Sequence, residues 1–161
     1  MRNPTLIEVS KGSSTEFIIR IPVSPLGVRI PLAVFASLGF VIPFLVLVYG
    51  IHKNKEVGFG FVLASMMGIG TGIYLFRFIL WNTYGAEHII VSDSKIQYFC
   101  NYRFFRDNSQ SFDLKDVSVI AANSVLHFVS EKESFSTSVQ LPDEMAEMLC
   151  RRINTEMKQH L

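Results

Sequence analysis

The side chains able to do acid–base, nucleophilic or metal chemistry are few and scattered along the 161 residues. The four histidines, His52, His88, His127 and His160, share no helical pair spacing, so the zinc-binding His-Glu-x-x-His pattern is missing. The nucleophile turn Gly-x-Ser-x-Gly does not occur either. Glu87 and His88 are adjacent and could handle a proton together, but neighbours on a strand point to opposite faces, which makes a structural role the expectation for both. Cys100 and Cys150 stand too far apart for a paired-ligand motif and predict reduced thiols, not a zinc site or a disulfide framework. The run Gly68-Ile69-Gly70-Thr71-Gly72 lacks the Lys-Ser or Lys-Thr that completes a phosphate cradle. The expectation is a chain with no catalytic residue, no metal and no cofactor, acting by binding.

Recognition chemistry is better represented. Six aromatic residues fall between Ile96 and Phe112. In an alternating strand Ile96, Tyr98, Cys100, Tyr102 and Phe104 share one face, predicted to be core, while Gln97, Phe99, Asn101, Arg103 and Phe105 share the other. Two phenylalanines beside an arginine and polar neighbours have the composition of a protein–protein contact, so Phe99, Arg103 and Phe105 are the candidate protein interface. The competing expectation is that a helix or a membrane surface covers both phenylalanines.

The elements that must position these residues follow from composition. The chain is 49% apolar and 18% charged, with a mean hydropathy of +0.31. The excess is local: residues 30–51 and 57–76 contain no Asp, Glu, Lys or Arg. Helices over 30–51 and 57–80 would each reach roughly 33 Å or more, enough to cross a hydrocarbon layer of about 30 Å. The turn His52-Lys53-Asn54-Lys55-Glu56 between them forces a hairpin with both ends on one side. No cleavable leader is expected, because a polar stretch with Arg2, Glu8, Lys11, Glu16, Arg20 and Arg29 precedes the first apolar run. Lys11, Arg20, Arg29, Arg77 and Lys95 on the common side outnumber Lys53 and Lys55 in the turn, which predicts both termini in the cytosol and a place in the inner (plasma) membrane.

Within the hairpin, Gly68 and Gly72 form a small-xxx-small face that lets another helix backbone approach. The neighbour is either the first helix near Ser37 and Gly39, or a second copy or partner helix. Pro43 removes a backbone hydrogen bond and should kink the first helix. Arg77 and Trp81 read as membrane-interface anchors, a snorkelling cation and an interfacial aromatic.

Outside the hairpin the period becomes two. Residues 1–29 predict a β-hairpin, 6–9 and 16–21, packing on the carboxy-terminal domain. Residues 81–161 predict six strands, over 88–91, 95–105, 109–113, 117–121, 125–130 and 135–141, with turns at Asp107-Asn108 and Asn123-Ser124 among others. A helix over 142–159 closes the chain with an apolar stripe of Met145, Leu149, Ile153 and Met157, Met148 beside it and a Glu147–Arg151 pair, and is expected to lid one end of the strands. The fold class is therefore a membrane α-helical hairpin plus a mainly β, α+β domain, an antiparallel sandwich or barrel.

This order of elements resembles the bacterial pleckstrin-homology-like (PH-like) membrane proteins, in which a small sandwich capped by a helix follows a transmembrane hairpin. The residues carrying the resemblance are Leu80-Trp81, Gly85, Glu87, the run His88-Ile89-Ile90-Val91, Lys95-Ile96, and Phe112-Asp113-Leu114-Lys115-Asp116-Val117. It implies a module that binds partners or lipids and transfers no catalytic residue. Residues 82–161 carry eight basic and eleven acidic groups, and Ser92-Asp93-Ser94-Lys95 sets one cation beside one anion, which argues against nucleic acid and weakens headgroup recognition. The leading expectation is a non-catalytic integral membrane protein whose cytosolic domain binds a protein in an assembly, accessory, regulatory or immunity role. A lipid-headgroup sensor is its alternative, and a membrane enzyme stands last.

Overall fold

The computed structural model describes residues 4–11, 13–52, 58–131 and 133–161. The expected inter-helix turn, with Lys53 and Lys55, lies outside the described residues. The chain divides into two units. One joins the amino-terminal residues as far as Pro22 to Tyr84–Leu161, and the other is Val23–Thr83.

The second unit is a pair of helices, α1 (Leu26–His52) and α2 (Phe59–Tyr84). Both are longer than the apolar runs predict. At the start, Pro25 supplies the first carbonyl, accepting from the amides of Val28 and Arg29, because a proline just before a helix costs no donor. Helix α1 then continues through Pro31 and Pro43. At the other end Ser24 clasps Asn82, backbone amide to backbone carbonyl at 3.1 Å and hydroxyl to side-chain oxygen at 3.1 Å. Each helix is long and apolar enough to cross a membrane, and only 6% of its apolar window is buried.

Among its described residues the first unit contains eight strands, all paired antiparallel, and one helix. Strands β1 (Thr5–Lys11), β2 (Ser14–Arg20), β3 (Ala86–Val91), β4 (Lys95–Asn101) and β5 (Arg106–Asp113) form one sheet in that order. Strands β6 (Val117–Ala122), β7 (Val125–Ser130) and β8 (Ser134–Ser136) form the second. The amino-terminal hairpin does more than pack on the later strands: β2 is hydrogen bonded to β3, from Thr15↔Val91 to Arg20↔Ala86, so the two ends of the chain share one sheet.

Alternation puts Phe17 and Ile19 of β2, Ile89 and Val91 of β3, and Ile96, Tyr98 and Cys100 of β4 on the inner face, all buried. Leu126 and Phe128 of β7 are also fully buried, and the rings of Tyr98, Phe128 and Phe135 meet, with Tyr98 to Phe135 at 4.2 Å between centroids. Helix α3 (Asp143–Gln159) buries Ala146, Leu149, Ile153 and Met157; Met145 is half-buried and Met148 is exposed. It ties parts of both sheets together. Cys150 and Asn154 donate to the Val119 carbonyl, at 3.2 and 3.0 Å, Arg152 pairs with Glu8 at 3.1 Å, and Thr15 donates to buried Glu156 at 3.1 Å.

Three strand boundaries differ from the sequence reading. The long strand expected over 95–105 ends at Asn101, because Arg103 takes a φ of 78° and reverses the chain over Tyr102–Phe105. The turn expected at Asp107-Asn108 is a β-bulge inside β5: Tyr98 pairs with Gln110 and Cys100 with Asp107, leaving two residues opposite one, with Asn108 at φ 52°. The strand expected over 135–141 is three residues long. Beyond it, Thr137 substitutes for strand pairing: its amide donates to the Leu126 carbonyl at 2.9 Å and its hydroxyl accepts from the Leu126 amide at 3.0 Å. The Asn123-Ser124 turn is present, with both residues at positive φ as a two-residue type I′ hairpin requires.

Candidate functional site

The three residues of the candidate protein interface do not share a face. Phe99 is 7% exposed. It lies on the outer face of β4, stacked on His88 of β3 at 4.8 Å and 9° between planes, and Arg106 of β5 covers its ring at 4.6 Å. His88 is held in turn by Glu16 of β2, Nδ1 to carboxylate at 2.7 Å. Phe99 is thus closed over by its own sheet, which removes it from any exposed patch. The sequence could not show this, because the closure comes from strands separated by up to about seventy residues in the chain.

Arg103 and Phe105 lie beyond the strand, on the turn, together with Phe104. Phe104 was expected in the core and is instead 72% exposed, because the reversal at Arg103 breaks the alternation. The turn is tightly determined. Tyr102 donates its amide to the Phe105 carbonyl at 3.0 Å, the Tyr102 and Phe105 rings stack at 4.6 Å, and Asn101 accepts the Arg103 amide at 2.9 Å. Positive φ at the first central position alone is the II′ pattern, usually met by glycine. The Arg103 guanidinium rests over Tyr84 at 4.8 Å and near Phe104 at 5.7 Å, while Tyr84 and Phe104 meet edge to face at 6.3 Å. The result is an exposed cluster of one cation and two aromatic rings, fixed by a strained turn.

A second exposed surface escaped the sequence reading. On the outer face of the second sheet, Ile120 is 51% and Val129 39% exposed, with Ala122 also exposed and Val125 half-buried. The register Ser118↔Val129, Ile120↔His127 and Ala122↔Val125 places them on one face. The signal was available, since Val117 to Ala122 is apolar on both alternations except at Ser118, but only pairing shows which set faces out.

The adjacent pair Glu87-His88 splits between faces as alternation requires. Glu87 is fully buried, and its Oε1 accepts the amides of Ser138 at 2.7 Å and Val139 at 3.0 Å. Burial pushes its carboxyl above the ordinary 4.5, against the Tyr98 hydroxyl and the two amides, which favour the anion. Burial and the neighbouring Glu87 charge also raise the Tyr98 hydroxyl. Burial pushes the Cys100 thiol up to about 11. Cys100 bonds to the Tyr98 hydroxyl at 3.2 Å, and neither it nor Cys150 is in a disulfide. These shifts all favour uncharged groups, the condition of a core polar cluster that fastens the β8–α3 connection to β3. No group of three His, Cys, Asp or Glu side chains that could hold a metal is found among the described residues.

In the helical unit Gly68 and Gly72 face α1 of the same chain. A methyl group at Gly39 would come within 2.7 Å of the Gly68 carbonyl and 3.1 Å of the Gly72 Cα. One at Gly72 would meet the Phe40 ring at 3.0 Å and the Ala36 carbonyl at 3.1 Å. This face packs against α1 within the hairpin. Arg77 is exposed and Trp81 half-buried on α2, and the helix runs on to Tyr84, about two turns beyond Arg77. Comparison with family models, with curated proteins and with solved structures gives no match for this chain.

Proposed function

We propose that this chain is a membrane-anchored, non-catalytic module in which α1 and α2 span the bilayer as a hairpin and the β unit binds a protein partner. The two helices support the first half: they are long and apolar, and their side chains point outward, where a buried core helix would hide them. The single observation carrying the second half is the outer face of the second sheet, where Ile120 and Val129 of paired strands are both exposed on one face. The order of two helices, antiparallel strands and a closing helix supports a PH-like reading of the domain. Its role is assembly, accessory, regulatory or immunity binding at the inner membrane, with both termini cytosolic.

The test is photo-cross-linking in native membranes, with a benzophenone side chain at position 120 in one sample and at exposed Ser111 of edge strand β5 in another. A discrete protein adduct specific to position 120, lost when Val129→Lys is added, supports the reading. An adduct pattern that is the same at both positions, or insensitive to Val129→Lys, sinks it. A reporter fused after Leu161 checks the compartment, and a periplasmic signal reverses it.

A further inference from the structure

The strand register sorts charge along the first sheet. At one end lie the partners Thr5↔Arg20, Arg20↔Ala86, Ala86↔Asn101 and Asn101↔Arg106, with the Tyr102–Phe105 turn just beyond. At the other end are Lys11↔Ser14, the turn holding Asp93, then Lys95↔Asp113, with Lys115 and Asp116 shortly after, so cations and carboxylates are matched there. The first end therefore collects Arg20, Arg103 and Arg106, all exposed, together with exposed Phe104. The net excess of three acidic groups over residues 82–161 conceals this cluster, because six of the eleven carboxylates lie beyond residue 130, outside the first sheet, and Arg20 comes from the amino-terminal strands.

Both connections to the apolar helices also leave from this end. The ladder between β2 and β3 is extended by a hydrogen bond from the Ile21 amide to the Gly85 carbonyl at 3.2 Å, one residue before Pro22 and one after Tyr84. Tyr84 is the last residue of α2, and it is the ring that Arg103 covers and Phe104 abuts. If α2 crosses a bilayer, its terminal residue lies at the lipid–water boundary, and whatever touches that residue is within a side chain's length of the headgroups. Aromatic rings and arginines are the groups enriched at that depth, the rings for their amphipathic edges and the cations for anionic phosphates.

We propose that this end of the sheet, with Phe104 as its apolar tip and Arg20, Arg103 and Arg106 as its cations, docks on the anionic headgroup layer of the same membrane. This contact goes beyond partner binding and rests on the reading that α1 and α2 span the bilayer. It leaves the Ile120–Val129 face free for a protein. The non-glycine residue at φ 78° fits this role, since Arg103 contributes its cation at a position where glycine would be the easier backbone choice.

The experiment uses the full chain in nanodiscs, with Trp81→Phe as background so that one introduced tryptophan reports. Tryptophan is placed at Phe104, at Ser94 on the opposite end of the sheet, or at Ile73 within α2. Each variant is read for quenching by phosphatidylcholine brominated near the glycerol end of its acyl chains, with and without phosphatidylglycerol. The expected result is strong quenching at 73 in both lipids, quenching at 104 that increases about twofold with phosphatidylglycerol, and none at 94. Adding Arg20→Gln and Arg103→Gly, the latter favouring the turn's backbone, should return the signal at 104 to its level in phosphatidylcholine alone. Quenching at 73 with position 104 behaving like 94 overturns the docking and leaves the span intact. A blue-shifted but unquenched emission at 104 assigns the tip to a protein contact and also overturns it. Absence of quenching at 73 overturns the spanning reading itself.

Discussion

The two units are built on opposite rules. In the helical pair the close contacts are made by backbone, where Gly39 meets Gly68 and Gly72, and the large side chains such as Phe35, Phe44 and Tyr74 point away from it. In the β unit the close contacts are made by rings, Tyr98, Phe128 and Phe135, and charge lies mostly outside. On the proposal that α1 and α2 span a bilayer, the difference follows from what surrounds each. Against water, large apolar side chains gain by facing inward, at about 25 cal/mol per Å² hidden. Against hydrocarbon they gain nothing by turning inward, so packing depends on how closely two backbones can approach.

The comparison can be broken at several points. The largest effect is expected at Phe128, which is fully buried among the other rings. Phe128→Ala should cost about 3–5 kcal/mol in urea unfolding of the β unit, whereas Phe44→Ala on α1 should leave that transition unmoved. Next is Gly39→Ala, for which about 1–3 kcal/mol is expected from overpacking against the Gly68 carbonyl. Gly70→Ala is its control, since a methyl group there meets nothing within 4 Å. Denaturing-detergent titration of the full chain followed by helical circular dichroism reads both, and equal effects would mean that the glycines do not set the helix approach.

Glu87 sharpens the contrast, because it is a fully buried carboxyl in the unit that keeps most of its charge outside. Its pKa is raised in the fold, so the stability it contributes is fully present below the ordinary 4.5 and is lost as the pH rises through the raised value. Glu87→Gln keeps an oxygen for the Ser138 and Val139 amides and cannot ionise. The variant should therefore lose this part of the pH dependence, and unfolding curves across pH 4 to 8 check it. Identical slopes for variant and parent would place the proton elsewhere. The smallest effect is a gain: Arg103→Gly should add about 1 kcal/mol by relieving the positive φ, visible as a raised midpoint for the β unit.

Much of the architecture was legible in the chain. Charge-free runs marked both helices, and alternation marked the strands through Val91 and after Val117, because both patterns are local. The Asn123-Ser124 hairpin was legible too, since asparagine tolerates positive φ. The reversal at Arg103 was not. Arginine carries no turn signal, and the aromatic alternation runs on past the point where the backbone turns. That reversal carries Phe104 out of the expected core, whereas Phe99 is covered by His88 and Arg106 from neighbouring strands, which alternation within its own strand cannot show.

The sequence by itself determined that two long apolar helices interrupt a β unit assembled from both ends of the chain, and that neither His-Glu-x-x-His nor Gly-x-Ser-x-Gly occurs in it. These are properties of composition and short-range period, which a single chain displays. Only the tertiary structure decided which surfaces are available. It closed Phe99 between His88 and Arg106, packed the Gly68–Gly72 face against α1, and brought Arg20, Arg103 and Arg106 to one end of the first sheet. Exposure and charge geometry depend on strand register, and register is set by pairing between residues distant in the chain.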